Sequence, residues 1–254
     1  MDTGADVSLA QFEKAPGAAV WSPDGKTIAF TMFVETESPS FATPPKAREG
    51  AEWAAPMRVF DDLTFRFDGQ GYLSEGATHV FTLPADGGSP RQITSGDVDY
   101  GEPAWLGNDT LLVSGNPNDD RDLDPIESDI FAIDLETLDM MRMTDRDGPD
   151  SGPKVSPDGT RIAYLGFDDK RLSWQQTGLY VMAADGSGIT RVAEDYDRGI
   201  AEITWGRDSQ SVYALIEDAG DMAVVEISLD GTEDRLITDI GGTSIGSPYA
   251  GGSY

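Results

Sequence analysis

The sequence predicts an all-β chain, a β-propeller built from four-stranded blades. Three observations carry the prediction. A Ser-Pro-Asp-Gly turn between short β-branched runs occurs twice, at Ser22-Pro23-Asp24-Gly25 and Ser156-Pro157-Asp158-Gly159. Equivalent positions Pro103, Pro153 and Ile203 recur every 50 residues. Each such hairpin is followed by a second one, most often marked by Asp-Gly. Four-stranded repeats of about 40–50 residues are propeller blades, because one blade cannot bury its faces alone and must stack on neighbours.

Within one repeat the strands are A to D. In the A–B turn, proline presets φ, aspartate bonds back to the backbone and glycine supplies φ > 0. Val20-Trp21 before the turn and Thr27-Ile28-Ala29-Phe30 after it make the first A–B hairpin, and Val155 with Arg161-Ile162-Ala163-Tyr164 the third. Two degraded copies complete the set, Ala104-Trp105-Leu106-Gly107-Asn108-Asp109 and Thr204-Trp205-Gly206-Arg207-Asp208. The C–D hairpins turn at Asp86-Gly87-Gly88, Thr137-Leu138, Asp185-Gly186 and Asp230-Gly231. Asp-Gly between alternating apolar runs is a strong hairpin signal. Trp21, Trp105 and Trp205 share one place in strand A, which suits packing between blades.

The first repeat carries an excursion, 35–77, between strands B and C. It holds Pro39, Pro44, Pro45 and Pro56 and a small hairpin around Asp68-Gly69. Long loops in compact folds tend to be functional or disordered. Strands alternate in direction, so A–B and C–D turns share one face of a propeller while B–C and D–A connections share the other. The excursion and the loops near 95–101, 114–128, 145–152, 166–177 and 194–200 therefore crowd one face, where a ligand or partner is expected. The expected organisation is the end of a preceding blade (1–14, with a strand at Val7 to Phe12), blades at 15–95, 96–145, 146–195 and 196–239, and the start of a further blade (240–254).

The formal net charge is -28 at pH 7. With no basic stripe to displace counterions from phosphates, nucleic acid is not an expected partner. No apolar run approaches a membrane span, and no signal peptide is visible. Cysteine is absent, which excludes disulfides and thiolate chemistry, and the single histidine is His79.

The stretches Trp21-Ser22-Pro23-Asp24-Gly25-Lys26-Thr27-Ile28-Ala29-Phe30-Thr31-Met32, Asp68-Gly69-Gln70-Gly71-Tyr72-Leu73, Thr78-His79-Val80-Phe81, Arg91-Gln92-Ile93-Thr94-Ser95-Gly96 and Gly241-Gly242-Thr243-Ser244-Ile245-Gly246-Ser247-Pro248-Tyr249 resemble the propeller of the prolyl oligopeptidase family of serine peptidases, in its acylaminoacyl-peptidase and dipeptidyl-peptidase-like branch. The Ser-Pro-Asp-Gly repeat is shared with TolB-like propellers; the excursion and the closing segment narrow the resemblance. It implies a propeller of about seven blades on a carboxy-terminal α/β-hydrolase domain that carries a Ser-Asp-His triad and hydrolyses short peptides. The propeller would filter substrates by size. None of the triad maps onto this chain, so it is expected to be inactive alone.

Gly251-Gly252-Ser253-Tyr254 resembles the start of a nucleophile elbow, but Ser253 follows no buried strand and has no histidine after it, so no catalytic residue is assigned. Asp120, Asp122 and Asp124 have the alternate spacing of a calcium loop, but Pro125 follows and Phe131 stands where the closing glutamate belongs, so they read as a solvated acidic loop. Asp145, Asp147 and Asp150 read as a turn with Gly148-Pro149. Glu35, Glu37, Arg58 and Arg66 are the substrate-facing candidates: a carboxylate there would hold a peptide amine and an arginine its carboxylate. No metal and no cofactor are expected, and His79 reads as structural. The function expected is the substrate-gating propeller portion of a serine-type oligopeptidase or exopeptidase. Its partners would be the hydrolase domain and short peptides. The alternative is a non-catalytic TolB-like propeller acting as a protein-interaction module. A propeller oligosaccharide lyase is disfavoured, since such chemistry usually wants several histidines or a metal.

Overall fold

The Ser-Pro-Asp-Gly turns close as their chemistry dictates. Asp24 Oδ1 accepts from the Ser22 hydroxyl (2.7 Å) and the Lys26 N–H (3.1 Å), while Ser22 Oγ accepts the Thr27 N–H (3.0 Å). Ser156 and Asp158 repeat the pattern at 2.6 and 3.0 Å. Gly25 and Gly159 sit at φ 68° and 72°, the left-handed region that closes each turn. The computed structural model in which these turns lie describes residues 8–36, 45–46, 48–51, 59–60, 62–238 and 240–241.

Every regular element among those residues is a strand. The first sheet begins with Gly17–Trp21 (β1) and Thr27–Glu35 (β2). The chain then passes a separate two-stranded hairpin, Arg66–Phe67 (β3) and Gly71–Tyr72 (β4), and returns as Gly76–Pro84 (β5) and Arg91–Gln92 (β6). The second sheet is Tyr100–Leu106 (β7), Thr110–Gly115 (β8), Asp129–Asp134 (β9) and Met140–Arg142 (β10). The third is Asp150–Val155 (β11), Arg161–Gly166 (β12), Gly178–Ala183 (β13) and Thr190–Val192 (β14), and the fourth Ile200–Trp205 (β15), Ser211–Asp218 (β16), Asp221–Ser228 (β17) and Glu233–Ile237 (β18). Each is antiparallel, with neighbours in sequence order. The β2–β5 ladder runs out to the pair Glu35–Gly76, so the excursion spans 36–75 rather than 35–77.

The core lies between sheets. Leu111, Val113 and Ile133 meet Ala29 and Val80 between the first two; Leu112 and Ile130 meet Ile162 and Tyr164 between the second and third; Ala163 and Leu179 meet Val212 and Ile216 between the third and fourth. Strand-A tryptophans staple the first and the last of these seams. Trp105 Nε1 donates to the Val20 carbonyl at 3.2 Å and Trp205 Nε1 to the Lys154 carbonyl at 2.8 Å. Trp21, at the same place in the first sheet, is 58% exposed.

One expected strand is absent. Residues 8–12 form no ladder; Leu9, Ala10 and Phe12 instead lie against Phe30, Phe81 and Leu83. Val7 and the closing segment at Gly242 to Tyr254, with Ser253, lie outside the described residues.

Candidate functional site

Three of the connections that strand alternation assigns to one face, the excursion and the loops near 95–101 and 114–128, meet around a cleft of about 400 Å³. One wall comes from the excursion, where Phe60, Phe65 and Tyr72 stack on one another with ring centroids 5.2–6.4 Å apart. The β3–β4 hairpin holds this wall up, so that Phe60, Phe65 and Phe67 line the cleft.

The opposite wall is polar and mostly acidic. It consists of the β6–β7 loop with Asp97 and Asp99, and of the β8–β9 loop with Arg121, Asp122 and Glu127. Arg121 Nη2 reaches Asp97 Oδ2 at 2.9 Å and ties the two loops together. Asp99 Oδ1 accepts the Thr78 N–H at 2.6 Å, which fixes its loop to the start of β5. Glu127 Oε2 accepts the Gly148 N–H at 2.7 Å. Burial pushes the Glu127 carboxyl above its ordinary range; Asp129, Asp124 and Asp147 push the same way, and the Gly148 bond opposes them.

Behind Glu127, at the seam between the second and third sheets, lie two buried carboxylates. Asp129 pairs with Arg142 and accepts the Thr144 hydroxyl at 3.0 Å; Asp150 pairs with Arg146. Arg146 stacks 4.0 Å from the centre of the Tyr180 ring. Burial raises the Asp150 carboxyl to about 6, against the pull of Arg146. The Asp150 N–H donates to the Ser128 carbonyl at 2.8 Å, so this seam is continuous with the cleft wall.

Of the substrate-facing candidates, Glu35 and Arg66 lie among the described residues. Glu35 ends β2, ion-paired to Lys14 at 2.5 Å, and lines a shallower neighbouring hollow of about 290 Å³. Arg66 is exposed on β3 and is not among the residues lining the cleft. Hairpin alternation explains this: Phe65 and Phe67 take the cleft side, which leaves Arg66 the other. Glu37 and Arg58 lie outside the described residues. The residues that do form the polar wall, Asp97, Asp99, Arg121 and Glu127, sit in two loops that strand alternation had assigned to this face. Nothing in their spacing marks them, since Arg121 and Asp97 are 24 residues apart.

The acidic stretch 116–128 folds on itself, with Asn116 Nδ2 donating to the Asp124 carbonyl at 3.0 Å. Among the described residues no three acidic or histidine side chains converge as metal ligands would. His79 is buried, its Nδ1 lies 3.2 Å from Thr94 Oγ1, and burial lowers its pKa.

Comparison with known proteins fixes the family. A family model described as the acylaminoacyl-peptidase N-terminal β-propeller domain matches residues 50–241, well over half of the chain. The chain belongs to this family. A probable dipeptidyl-peptidase 5 of Arthroderma benhamiae is 34% identical over 74 residues, which cover 28% of this chain and 10% of that protein. The propeller also superposes on the acylaminoacyl peptidase of Pyrococcus horikoshii (TM-score 0.65, 16% identity, 93% of this chain and 34% of that one). TolB from Acinetobacter baumannii shares the fold as well (TM-score 0.57, 12% identity, 94% and 48%). The chain thus spans about a third of the peptidase structure, and its matched stretch about a tenth of the dipeptidyl-peptidase 5.

Proposed function

We propose that this propeller is the substrate-gating portion of a serine-type oligopeptidase or exopeptidase, working with a separate α/β-hydrolase domain on short peptides. The observation that carries the reading is the family match over 50–241, and the cleft fits it. A volume of about 400 Å³ suits a short peptide and not a folded chain. Its phenylalanine wall offers apolar contact to a side chain, and the carboxylates opposite offer charge-assisted bonds to an amine. Closure of the two loops by Arg121 and Asp97 sets the width of the opening, which is the property a size filter needs.

The test uses the complete gene product that carries this propeller. It is expected to hydrolyse short peptide anilides, to be labelled by a fluorophosphonate at one serine, and to lose hydrolysis when reduced to residues 1–254. A complete product with neither hydrolysis nor labelling refutes the peptidase reading and leaves a TolB-like interaction module.

A further inference from the structure

The D strands of the four sheets each present one polar side chain at an equivalent place. Gln92 is paired with Phe81, Arg142 with Phe131, Arg191 with Tyr180 and Arg235 with Val225. In three of the four the polar head finds an acceptor. Gln92 Nε2 donates to the Thr94 carbonyl at 2.8 Å. Arg142 Nε donates to the Thr144 carbonyl at 3.1 Å, and its guanidinium pairs with Asp129. Arg235 Nη1 reaches Asp218 Oδ2 at 2.5 Å.

Arg191 is the exception. Among the described residues it makes no ion pair, and its Nε is buried without an acceptor. Three departures from the second sheet produce this. Gly178 stands where Asp129 stands, and Ala193 stands where Thr144 stands. Ala193 also adopts φ 52°, and its carbonyl accepts the Tyr196 N–H at 2.9 Å, so it is turned away from the guanidinium. The guanidinium has settled over Gly178 instead: a Cβ there would lie 2.9 Å from Nε and 3.2 Å from Nη2. Glu194, Asp195, Asp230 and Glu233 border the hollow beside Arg191 without pairing with it.

We infer that Arg191 is a binding site for an external carboxylate, which supplies what Asp129 supplies to Arg142 in the neighbouring sheet. A buried guanidinium N–H without a partner is costly, and a carboxylate can satisfy two donors of the fork at once. Gly178 opens β13 at the strand end that Asp129 occupies in β9, on the face that carries the cleft. The ligand class is a carboxylate at a peptide C-terminus or on an acidic side chain. With a net charge of -28 the molecule repels anions as a whole, so a carboxylate that binds does so at a local cation. The inference stands on the four-sheet comparison and does not need the peptidase reading.

The test follows the arginine Nε–Hε resonances of the ¹⁵N-labelled 254-residue chain. N-acetylglycine probes a terminal carboxylate and the α-amide of N-acetylaspartate a side-chain one; N-acetylglycinamide is the uncharged control. One arginine Hε resonance is expected to shift saturably with at least one acid and not with the amide; which acid acts identifies the source. Binding is expected to disappear in Arg191→Gln. It is expected to weaken at least tenfold in Gly178→Asp, which restores an internal carboxylate. Gly178 has no left-handed φ, so an aspartate fits its backbone, and a native-like amide spectrum of that variant confirms folding if Arg191→Gln does not fold. Absence of any saturable shift, or a shift that persists in Gly178→Asp, overturns the inference.

Discussion

Replacing the three strand-A tryptophans by phenylalanine, one at a time, measures what an inter-sheet staple contributes. Trp205 is 8% exposed and donates at 2.8 Å across the seam between the third and fourth sheets. Trp205→Phe removes that bond, at about 1 kcal/mol. It also deletes part of a buried ring, for roughly 1–2 kcal/mol of lost burial and packing. The total of about 2–3 kcal/mol corresponds to a fall in Tm of roughly 4–12 °C for a chain of this size. Trp105→Phe is expected to fall slightly short of this, its bond being longer at 3.2 Å. Trp21→Phe, at an exposed site, is expected to cost under about 0.5 kcal/mol. Urea unfolding followed by circular dichroism gives all three values under one condition. A Trp21→Phe loss equal to that of Trp205→Phe refutes the reasoning, because the same change would then act without the seam.

Three further outcomes are expected. Asp150 holds its proton more tightly in the folded chain (about 6) than in the unfolded one (3.8), so its contribution to stability falls as pH rises through that window. Wild type minus Asp150→Asn should therefore show a Tm difference that changes between pH 4 and 6 and is flat above 7; a difference independent of pH contradicts the assignment. Gly148→Ala places a Cβ on the Phe167 carbonyl at φ 126° and disturbs the bond that holds Glu127; it should cost about 3 kcal/mol or more by urea unfolding, and a loss under 1 kcal/mol argues against the geometry. Raising KCl from about 0.1 to about 1 M shortens the Debye length from roughly 10 to 3 Å and should raise Tm by screening the self-repulsion of the -28 charge; an unchanged Tm shows that the acidic surface carries no such cost.

The fold was legible because each hairpin announces itself locally. Asp24 and Asp158 act within five residues of chain, and the 50-residue spacing repeats one hydrophobic pattern. The face that carries the cleft followed from strand alternation alone. Its residues did not, since Phe65, Asp97, Arg121 and Glu127 converge from three connections that only the packing of two sheets brings together. Arg146 and Asp150 illustrate the limit: four residues apart, they have the spacing of a helical ion pair, yet they pair across a loop because Asp150 is buried at the seam. Of the strand expected at Val7 to Phe12, residues 8–12 instead use their apolar pattern to pack on Phe30, Phe81 and Leu83. The exception at Arg191 became visible only when cross-strand registers aligned the four sheets and set Gly178 beside Asp129.

The most direct test of the gating account is the dependence of kcat/KM on peptide length in the complete gene product, measured for wild type and Arg121→Ala. The account predicts that kcat/KM falls with peptide length in the wild type, and that Arg121→Ala, by freeing the β8–β9 loop from Asp97, raises it for long peptides while leaving short ones unchanged. Equal length dependence in the two proteins, or none in either, contradicts a gate at this cleft.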